Sequence, residues 1–525
     1  MATKSVAALG RLRMTGMAVF IIGVLVFIAA LSMNDYRIDD ISLERAVGNS
    51  DHRSAIATAL GEDKGRTYSS MWEFLDVVEA AITVANKTGN AGISSYDRGQ
   101  YLMYITKHAG LGFLENNRVL VLIFSIVLAC VGALIYIVPQ AAQTPPGIRN
   151  DRLFTSAATS RGWIGIAVGS MLIGFYIVLY WFPHWITPWI RLVDPISYAL
   201  SGHQAGQWFL YGFLYTVSML VMGVRMFIRY RHNRYQLIRT GSVLFFQTAF
   251  AFIIPEILVA LNQPYFDFKF MWPLDYDYFY NWNLDQLSSS GAIGIFMLTW
   301  GIALLLVAVP LFTWLWGKRW YCSWVCGCGG LAETVGDPYR HLSDKSLKAW
   351  RVERILIHSV LVFAVVMTSV TLINYFSDYQ LLGAATGNFQ RAYGFLIGAA
   401  FAGVVGTGFY PLMGNRVWCR FGCPLAAILG IVQRFQSRFR ITTNGGQCMS
   451  CGNCSTYCEM GIDVRSYAQR GQDIVRASCV GCGICSAVCP RGVLKLENGP
   501  ASTRNLEINP VLHGGVKQLQ VVEPD

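Results

Sequence analysis

Residues 448–490 read CMSCGNCSTYCEMGIDVRSYAQRGQDIVRASCVGCGICSAVCP, and this stretch decides the fold of the C-terminal part of the chain. It holds two cysteine runs, each spaced C-x2-C-x2-C-x3-C, and Pro490 follows the second run. Of the 14 cysteines, only Cys130 lies before position 320. Such tight spacing indicates metal or cluster ligation, whereas a secreted disulfide scaffold spreads its cysteines through a small domain.

The two runs have the spacing with which proteins hold iron–sulfur clusters. Three thiolates of a C-x2-C-x2-C run can reach three irons of a [4Fe–4S] cubane, and in two-cluster ferredoxins the fourth thiolate comes from the other run. Zinc sites use pairs of C-x2-C rather than triplets, so a zinc ribbon does not account for the pattern. The sequence therefore predicts two [4Fe–4S] clusters. The first ferredoxin set is Cys448, Cys451, Cys454 and Cys489, and the second ferredoxin set is Cys479, Cys482, Cys485 and Cys458.

Glu459 departs from the usual pattern of such a stretch. It follows Cys458, at a place where two-cluster ferredoxin domains usually have proline. Because every cysteine of the two runs remains, the predicted ligand sets are unchanged. The local turn and the potential of the adjacent cluster are expected to differ from those of a domain with proline there.

The rest of the chain has the composition of a membrane protein. Hydrophobic residues make up 54% of the 525 residues and charged residues only 14%, against about 25% charged in soluble domains. Several apolar runs exceed the roughly 18 residues that mark a membrane-spanning helix. We therefore predict a mainly α, polytopic helical membrane protein with a C-terminal bacterial-type 2[4Fe–4S] ferredoxin domain of α+β fold. The eight predicted spans are 17–33, 119–139, 162–182, 206–228, 241–261, 292–316, 355–376 and 393–413.

The distribution of lysine and arginine predicts the orientation in the membrane. Five arginines lie in loop 225–240 and seven basic residues in segment 317–354, whereas 183–205 and 262–291 hold one each. Basic residues concentrate in cytoplasmic loops. With an even number of spans, both termini and the ferredoxin domain are predicted to face the cytoplasm of a bacterial cytoplasmic (inner) membrane. These loops explain the net charge of +11, so no nucleic-acid partner is expected.

These patterns divide the chain into successive parts. The predicted parts are an N-terminal anchor helix at 1–33, an extracytoplasmic helical segment at 34–116, a transmembrane domain at 117–424, an amphipathic linker at 425–445, the ferredoxin domain at 446–498 and a tail at 499–525. The anchor is kept as a helix because no small-residue cleavage site follows its apolar core. The linker mixes apolar and basic residues, so we expect it to contact membrane lipid at the inner surface and to hold the ferredoxin domain there.

Five further cysteines are predicted to lie at the cytoplasmic edge of the membrane, and we call them the edge cysteines. Cys322, Cys326 and Cys328 follow the sixth span, and Cys419 and Cys423 follow the eighth. If these segments are helical, the i, i+4 spacing places each C-x3-C pair on one helix face. Three interpretations remain open: shared ligation of an additional cluster or metal, a redox-active dithiol or transient metal relay, and structural thiols.

In the order of these motifs the chain resembles the membrane polyferredoxin family of NapH, NosR and CcoG type. The resemblance covers roughly 292–495 and rests on transmembrane helices, paired C-x3-C motifs at the membrane edge and a two-cluster ferredoxin domain. It implies passage of electrons between the quinol pool or cytoplasmic carriers and a respiratory or maturation partner. The first edge motif departs from the family pattern, because Gly327 follows Cys326 where the family has proline.

Glu256, next to Pro255, is an acid that the sequence places well inside a predicted span. Intramembrane carboxylates are rare and often mark proton or substrate paths. One interpretation makes Glu256 a catalytic proton acceptor for quinol oxidation, and the other makes it a partnered structural residue beside a proline kink. The aromatic segment, 264–282, follows this span. It is interpreted either as an interfacial belt or as a docking surface or one wall of a quinone pocket.

Together these features predict membrane-bound electron transfer through two [4Fe–4S] clusters, between the quinone pool and a redox protein partner or complex. The chain is then an electron-transfer subunit of an oxidoreductase rather than a stand-alone enzyme. The alternative is an assembly or regulatory factor that reduces or handles a metal, such as copper, during maturation of a respiratory enzyme. An electron carrier needs a cofactor or close spacing at the edge cysteines, whereas a maturation factor needs exposed, exchangeable thiols.

Overall fold

The computed structural model describes residues 2–88, 92–143 and 156–499, and the predicted tail from residue 500 onward lies outside these ranges. Within them, seven helices are long and apolar enough to cross a membrane. They are Ala8–Ser32, Arg118–Gln143, Trp163–Trp181, Gln207–Arg229, Arg234–Ala260, Gly291–Trp316 and Leu347–Phe376. The chain is a multi-pass membrane protein, as the length and apolar character of these segments predict.

A further helical segment, 386–408, coincides with the predicted eighth span. It consists of the α-helix Thr386–Tyr393, the π-helix Gly394–Val405 and the short helix Gly406–Gly408. The preceding span is Leu347–Phe376. Its start lies near Arg420, because Glu353 of this span forms an ion pair with Arg420 at 2.6 Å. The span ends near Asn374, whose side chain donates a hydrogen bond to Thr386 at 2.9 Å. Since segment 386–408 then leads back towards Arg420, it runs back along that span and overlaps the predicted eighth span, 393–413, although it is not among the seven helices long and apolar enough to cross a membrane.

The predicted extracytoplasmic segment folds as a small α/β unit, so the expectation of helices alone is corrected. Three short strands form an antiparallel sheet in which the first strand pairs with both others: Asn34–Arg37, Thr67–Tyr68 and Gly110–Gly112. The helices are Asp40–Ala46, Ser50–Leu60, Met71–Thr88 and Ser95–Ala109. Phe74, Val78 and Ile82 are buried in its core. The strands are too short for the alternation of apolar and polar residues that reveals a strand in sequence.

The ferredoxin domain is closed by a two-stranded antiparallel sheet, in which Phe439–Thr443 pairs with Leu494–Asn498. In each cysteine run a glycine stands between the second and third cysteine. These glycines, Gly452 and Gly483, have φ values of 80° and 74°. Glycine adopts this left-handed backbone at little steric cost, and it turns the chain into the short helix that carries the third cysteine. The short helices of the domain are Asn453–Thr456, Val464–Gln469 and Ile484–Ala487.

The predicted amphipathic linker contains the helix Pro424–Gln436. Leu425, Leu429 and Gln433 are buried, while Phe435 is exposed. The buried face packs against the sixth and seventh membrane helices, and this packing joins the membrane domain to the ferredoxin domain. Contact of the exposed face with lipid stays a prediction.

The aromatic segment folds inward between the membrane helices. The Tyr321 hydroxyl donates a hydrogen bond to the Lys269 carbonyl at 2.7 Å. The indole N–H of Trp272 donates to the Thr368 hydroxyl at 2.8 Å. Because Thr368 belongs to a membrane helix, these contacts place part of the segment within the helical domain rather than along its rim.

Candidate functional site

The structure brings the first ferredoxin set together. Its four cysteines line one cavity of the ferredoxin domain: Cys448, Cys451, Cys454 and Cys489. Cys489 reaches this cavity from the second run, as the predicted assignment requires. Cys451 is exposed and Cys454 is buried, so one side of the group faces solvent.

The second ferredoxin set lies deeper in the protein. Cys485 lies within electrostatic reach of the other members, which are Cys458, Cys479 and Cys482. The backbone N–H of Ile462 donates to the sulfur of Cys458 at 3.4 Å. Burial raises the pKa of the Cys479 thiol to about 11. A free thiol with such a pKa is protonated at neutral pH and is a poor nucleophile.

The edge cysteines form a third buried group, assembled from two distant parts of the chain. Four of them are each 6% exposed: Cys322, Cys326, Cys419 and Cys423. Cys423 lies within electrostatic reach of the other three. Burial raises the pKa of Cys322 to about 12, whereas a hydrogen bond from half-buried Cys328 lowers that of Cys326 to about 6. Cys326, the thiol with the lowered pKa, is as buried as the other three. This burial disfavours direct exchange with a partner's thiol.

The two edge motifs share a local sequence. The first reads GKRWYCSWVC at 317–326 and the second reads GNRVWCRFGC at 414–423. Each opens on a glycine with positive φ, 70° for Gly317 and 93° for Gly414. With ψ near 180°, this backbone region is essentially restricted to glycine. The same turn therefore leads the chain from a membrane helix into each C-x3-C pair.

Each C-x3-C pair also closes a turn wider than that of an α-helix. The N–H of Cys326 donates to the Tyr321 carbonyl at 2.8 Å, and the N–H of Cys423 donates to the Trp418 carbonyl at 2.9 Å. Both bonds reach five residues back, whereas an α-helix bonds four residues back. The condition under which the i, i+4 spacing would place each pair on one helix face, a continuous α-helix, is therefore not met. The helices that follow the pairs are Gly327–Glu333 and Pro424–Gln436.

The spacing of the ligand atoms bears on what the cysteine groups can hold. A single tetrahedral zinc ion, with Zn–S bonds of about 2.3 Å, needs its sulfurs within about 4 Å of one another. Among the described residues, one set of three His, Cys, Asp or Glu side chains has ligand atoms within 4.8 Å, and it is Glu333, Glu459 and Cys482. The donor sets of four thiolates fit a polynuclear cluster.

Arg416 and Glu459 connect the edge cysteines to the second ferredoxin set. Nη1 of Arg416 lies 3.7 Å from the sulfur of Cys419, and Nη2 lies 3.0 Å from a carboxylate oxygen of Glu459. Glu459 directly follows Cys458, and it also pairs with Arg340 at 2.6 Å. The residue that replaces the usual proline thus forms ion pairs that dock the ferredoxin domain onto the membrane domain.

A second link runs between chain neighbours of the same two cysteine groups. Ser323 follows Cys322, and its hydroxyl donates to the carbonyl of Val480 at 2.7 Å. Val480 follows Cys479, whose own carbonyl accepts a hydrogen bond from Gln433 at 2.7 Å. The edge cysteines and the second ferredoxin set are therefore held together from both motifs.

A network of eight charged side chains, six of them buried, lies at this interface. Its members are Arg225, Arg229, Arg239, Arg340, Arg416, Glu333, Asp337 and Glu459. Burial raises the pKa of Glu333, but Arg239, Arg340 and Arg416 outweigh it and hold that pKa well below its usual range. Loss of one partner from a buried pair costs about 3–5 kcal/mol, because the other charge is left unpaired. The network therefore favours one fixed arrangement of the two domains.

Protein families match both parts of this arrangement. The 4Fe-4S dicluster domain family matches residues 447–494, and the 4Fe-4S binding domain family matches twice, at 298–347 and 393–442. The two matches of the second family each contain one edge motif. The unit that is repeated in sequence and in turn geometry is thus repeated as a family match, and these matches together cover every cysteine beyond position 320.

Two known proteins are similar to part of the chain. YccM of Escherichia coli (strain K12), named for electron transport, is 30% identical over 176 residues, which are 32% of this chain and 48% of YccM. The regulatory protein NosR of Stutzerimonas stutzeri is 26% identical over 159 residues, which are 28% of this chain and 20% of NosR. The matched part is therefore less than half of either relative, and no solved structure matches the chain. The chain fits a membrane polyferredoxin of the NosR type.

In this polyferredoxin, Glu256 lies apart from the cysteine groups. Its side chain reaches Ser201, in the connection before the fourth span. Gln247 of the same helix donates to the Val325 carbonyl at 2.5 Å, next to Cys326. Nine residues at a rise of 1.5 Å separate Gln247 from Glu256 by about 13 Å along the helix. The structure therefore does not bring the predicted proton acceptor to the cysteines.

Two features of the polyferredoxin are not evident from the predicted motifs. The first is the repeat, whose signal is the pattern G-x-R-x-aromatic-C-x3-C beginning at Gly317 and again at Gly414. Aligning the sequence with itself, with a window as short as the motif, finds this repeat. The second is the docking role of Glu459, which depends on Arg340 and Arg416 and has no local signal in the sequence.

Proposed function

We propose that this polyferredoxin passes single electrons between the quinone pool of a bacterial cytoplasmic membrane and a redox protein partner. Each ferredoxin set holds one [4Fe–4S] cluster in this proposal, and a further cluster is held by Cys322, Cys326, Cys419 and Cys423. The observation that supports this proposal is the link between the edge cysteines and the second ferredoxin set. The edge cysteines are buried, and Arg416 bridges Cys419 to the residue that follows Cys458.

The chain provides hydrogen bonds and burial at the ligand sulfurs. When bound, a [4Fe–4S] cluster supplies one-electron chemistry at a potential set by hydrogen bonds to its sulfurs and by solvent exposure. The N–H of Ala426 donates to the sulfur of Cys423 at 3.4 Å. Arg416 adds a cationic donor 3.7 Å from the sulfur of Cys419. Because these donors stabilise negative charge on sulfur, we expect them to raise the potential of the edge site.

The burial of the edge thiols also bears on the alternative, a factor that handles a metal such as copper for another enzyme. Such a factor needs thiols that a partner can reach. The four cysteines of the C-x3-C pairs are each 6% exposed, and they lie behind the ion-paired interface. Electron transfer is therefore better supported than metal handling.

We infer that the ferredoxin domain faces the cytoplasm. The arginine-rich loop 225–240 contacts it directly, because the Tyr235 hydroxyl donates to the Gly481 carbonyl at 2.9 Å and Gln236 donates to the Cys482 carbonyl at 2.8 Å. The loop and the domain thus share one side of the membrane, and arginine-rich loops concentrate on the cytoplasmic side. Impermeant thiol labelling in intact cells tests this inference. Labelling of a cysteine introduced in loop 225–240 without lysis would overturn it.

For quinone, the aromatic segment is better placed than Glu256. Burial and the neighbouring carboxylate of Asp277 raise the pKa of Asp275 well above its usual range. The ring of Tyr276 packs against that of Tyr393 with centroids 5.9 Å apart. Quinol oxidation releases two electrons and two protons, so its site needs titratable groups beside a flat apolar pocket. We therefore propose this part of the aromatic segment as the quinone site.

The aromatic segment also leads towards the edge cysteines. Asp267 and Lys269 form an ion pair at 2.5 Å in which the lysine side chain is 2% exposed. The Tyr321 hydroxyl binds the Lys269 carbonyl, and Tyr321 directly precedes Cys322. The segment that holds the proposed quinone site therefore also contacts the neighbour of an edge cysteine, whereas Glu256 reaches Ser201.

Quinol-driven reduction of the purified protein tests the function and the site together. Wild type, Asp275→Asn and Glu256→Gln are mixed anaerobically with a short-chain ubiquinol or menaquinol, and reduction is followed by visible absorbance. We expect Asp275→Asn to slow reduction by about a hundredfold, because it removes the proton-accepting carboxylate. Glu256→Gln should react like the wild type.

Two controls separate the possible failures. Iron and acid-labile sulfide content and reduction by dithionite should be equal in the three proteins. Equal quinol rates in all three would remove Asp275 from the mechanism, and slowing confined to Glu256→Gln would restore the prediction made from the sequence. A wild-type protein that contains clusters but is not reduced by either quinol contradicts the quinone partner while leaving the cluster assignment intact.

A further inference from the structure

A cavity of about 360 Å³ lies between the start of the seventh membrane helix and the ferredoxin domain. Small-molecule sites commonly have volumes of about 300–1,000 Å³. The wall contains the basic residues Lys345, Arg470 and Arg476 together with the aromatic residues Trp350 and Tyr467. Basic and aromatic side chains in one cavity favour a ligand that has both an anionic group and a flat or apolar part.

The acidic residues of the wall are already engaged. Glu353 pairs with Arg420 at 2.6 Å, and the Ser455 hydroxyl donates to Asp463 at 2.6 Å. Lys345 donates to the carbonyl of His341 at 2.8 Å, which leaves its charge without a carboxylate partner there. The cavity therefore keeps an excess of positive charge.

Arg476 gives the most direct indication of an anionic ligand. Its guanidinium carbon lies 4.1 Å from the centroid of the Trp350 ring, so the group is held flat against the cavity wall. Nε and Nη1 of Arg476 are buried, and neither has a hydrogen-bond partner among the described residues. A buried cationic donor without an acceptor is unfavourable. Because Nε and Nη1 are shielded, the remaining nitrogen, Nη2, is the one that can donate to a phosphate oxygen in the cavity.

The cavity also adjoins the second ferredoxin set. Met460 and Ile462 of its wall follow Cys458, and Ser478 of its wall precedes Cys479. A ligand bound in the cavity therefore lies against the loops that hold the second ferredoxin set. Its charge, and the water that it displaces, change the electrostatic environment of these cysteines.

We propose that this cavity binds a phosphate-bearing ligand, with Lys345 and Arg476 contacting the phosphate. Trp350 holds Arg476 in place, and Met460 and Ile462 of the wall cover the flat or apolar part of the ligand. Two sources offer this chemistry. One is a soluble nucleotide such as flavin mononucleotide, and the other is the headgroup of an anionic phospholipid, because the cavity lies where a membrane helix begins. The proposal does not depend on the quinone site or on a cluster at the edge cysteines.

Binding to the full chain in lipid nanodiscs distinguishes the two sources. Flavin mononucleotide is titrated by fluorescence quenching, and retained phosphatidylglycerol is counted by native mass spectrometry. The variants are Arg476→Gln and Lys345→Gln, and Lys348→Gln is the matched control, because Lys348 is exposed and outside the cavity wall. We expect Arg476→Gln to weaken binding of one probe by about tenfold or more, and Lys345→Gln to weaken it less. Lys348→Gln should leave it unchanged.

Loss of flavin mononucleotide binding assigns the cavity to a soluble ligand, and loss of retained phosphatidylglycerol assigns it to a lipid headgroup. The proposal is overturned if the wild type binds neither probe, or if Arg476→Gln and Lys348→Gln bind both equally. If Arg476→Gln fails to fold, Lys345→Gln and Trp350→Leu decide the outcome in the same assay. Iron and sulfide content is measured on each sample, so failure of this proposal is distinguishable from failure of the cluster assignment.

Discussion

The two edge motifs are alike in sequence and turn geometry, yet their arginines have different surroundings. Arg319 of the first motif is half-buried, and its guanidinium carbon lies 4.1 Å from the centroid of the Phe439 ring. Arg416, at the same place in the second motif, is 2% exposed and contacts both Glu459 and Cys419. The repeat therefore supplies thiols from both motifs, whereas the arginine of the second motif forms an ion pair with a carboxylate of the ferredoxin domain and that of the first motif packs on an aromatic ring.

The two edge motifs also contact the ferredoxin domain through different kinds of interaction. In the first motif they are hydrogen bonds to backbone carbonyls, from Ser323 to Val480 at 2.7 Å and from Lys318 to Ala477 at 3.4 Å. In the second motif the contact is a buried ion pair. Hydrogen bonds to carbonyls fix position at modest net energy, whereas breaking a buried ion pair is strongly destabilising. A duplicated unit has thus acquired two different roles through its partners.

The largest expected effect tests the similarity of the motifs. Cys322→Ser and Cys419→Ser should each remove the same spectroscopic signal and lower the iron content from about twelve to about eight per chain, because each removes a ligand of one shared cluster. Anaerobic iron and acid-labile sulfide analysis with electron paramagnetic resonance measures this, with Cys130→Ser as the control. Unchanged iron in both variants contradicts a shared cluster, and zinc without labile sulfide contradicts the ferredoxin assignment as well.

The next effect tests the difference between the arginines. Arg416→Gln should lower the free energy of unfolding by about 1.5–3 kcal/mol, because Glu333 and Glu459 lose one charged partner and keep only Arg239 and Arg340. Arg319→Gln should cost about 1 kcal/mol or less, since it loses a contact with an aromatic ring. Denaturant titration followed by visible absorbance compares the two. Equal losses in both variants would show that burial of Arg416 has no special role.

Glu459 offers a test from the other side of the ion pair. Glu459→Gln keeps the shape but loses the charge, and we expect a loss of about 1.5–3 kcal/mol in the same titration. Glu459→Pro restores the residue usual at this place and should cost at least as much, because Arg340 and Arg416 then lose one of their carboxylate partners. Glu62→Gln, at an exposed position, is the control. A proline variant as stable as the wild type would show that the ion pair does not dock the domain.

The smallest effect concerns the glycines that open the motifs. Alanine at Gly414 meets the backbone nitrogen of Ser343 at 2.8 Å, whereas alanine at Gly317 meets side-chain atoms of Phe439 and Gln433, which can move. Both backbones have positive φ, so each change should cost about 1–3 kcal/mol, and the Gly414→Ala variant should be the less stable. Thermal shift of the two variants measures the difference. A larger loss in Gly317→Ala contradicts it.

Several features of the protein were determined by its sequence alone. Lipid cannot satisfy backbone hydrogen bonds, so a long apolar run must be a helix, and the multi-pass helical fold follows from hydropathy. The gathering of Cys448, Cys451 and Cys454 follows from spacing within seven residues. Cys489 was placed with them because the fourth ligand crosses between runs in this type of domain. Each of these inferences uses contacts between residues that are close in the chain or are fixed by a known motif.

Only the tertiary structure decided how the edge cysteines and the charges around them meet. Cys322 and Cys419 come together because segment 386–408 leads the chain back along the preceding helix, and hydropathy does not specify which helices become neighbours. Glu459 faces Arg416 because the ferredoxin domain docks in one orientation. The sequence alone does not show which charged residues will pair. The separation of Glu256 from the cysteines and the inward fold of the aromatic segment have the same cause. Local patterns fix helices and metal-binding loops, whereas long-range packing decides which of their side chains share a site.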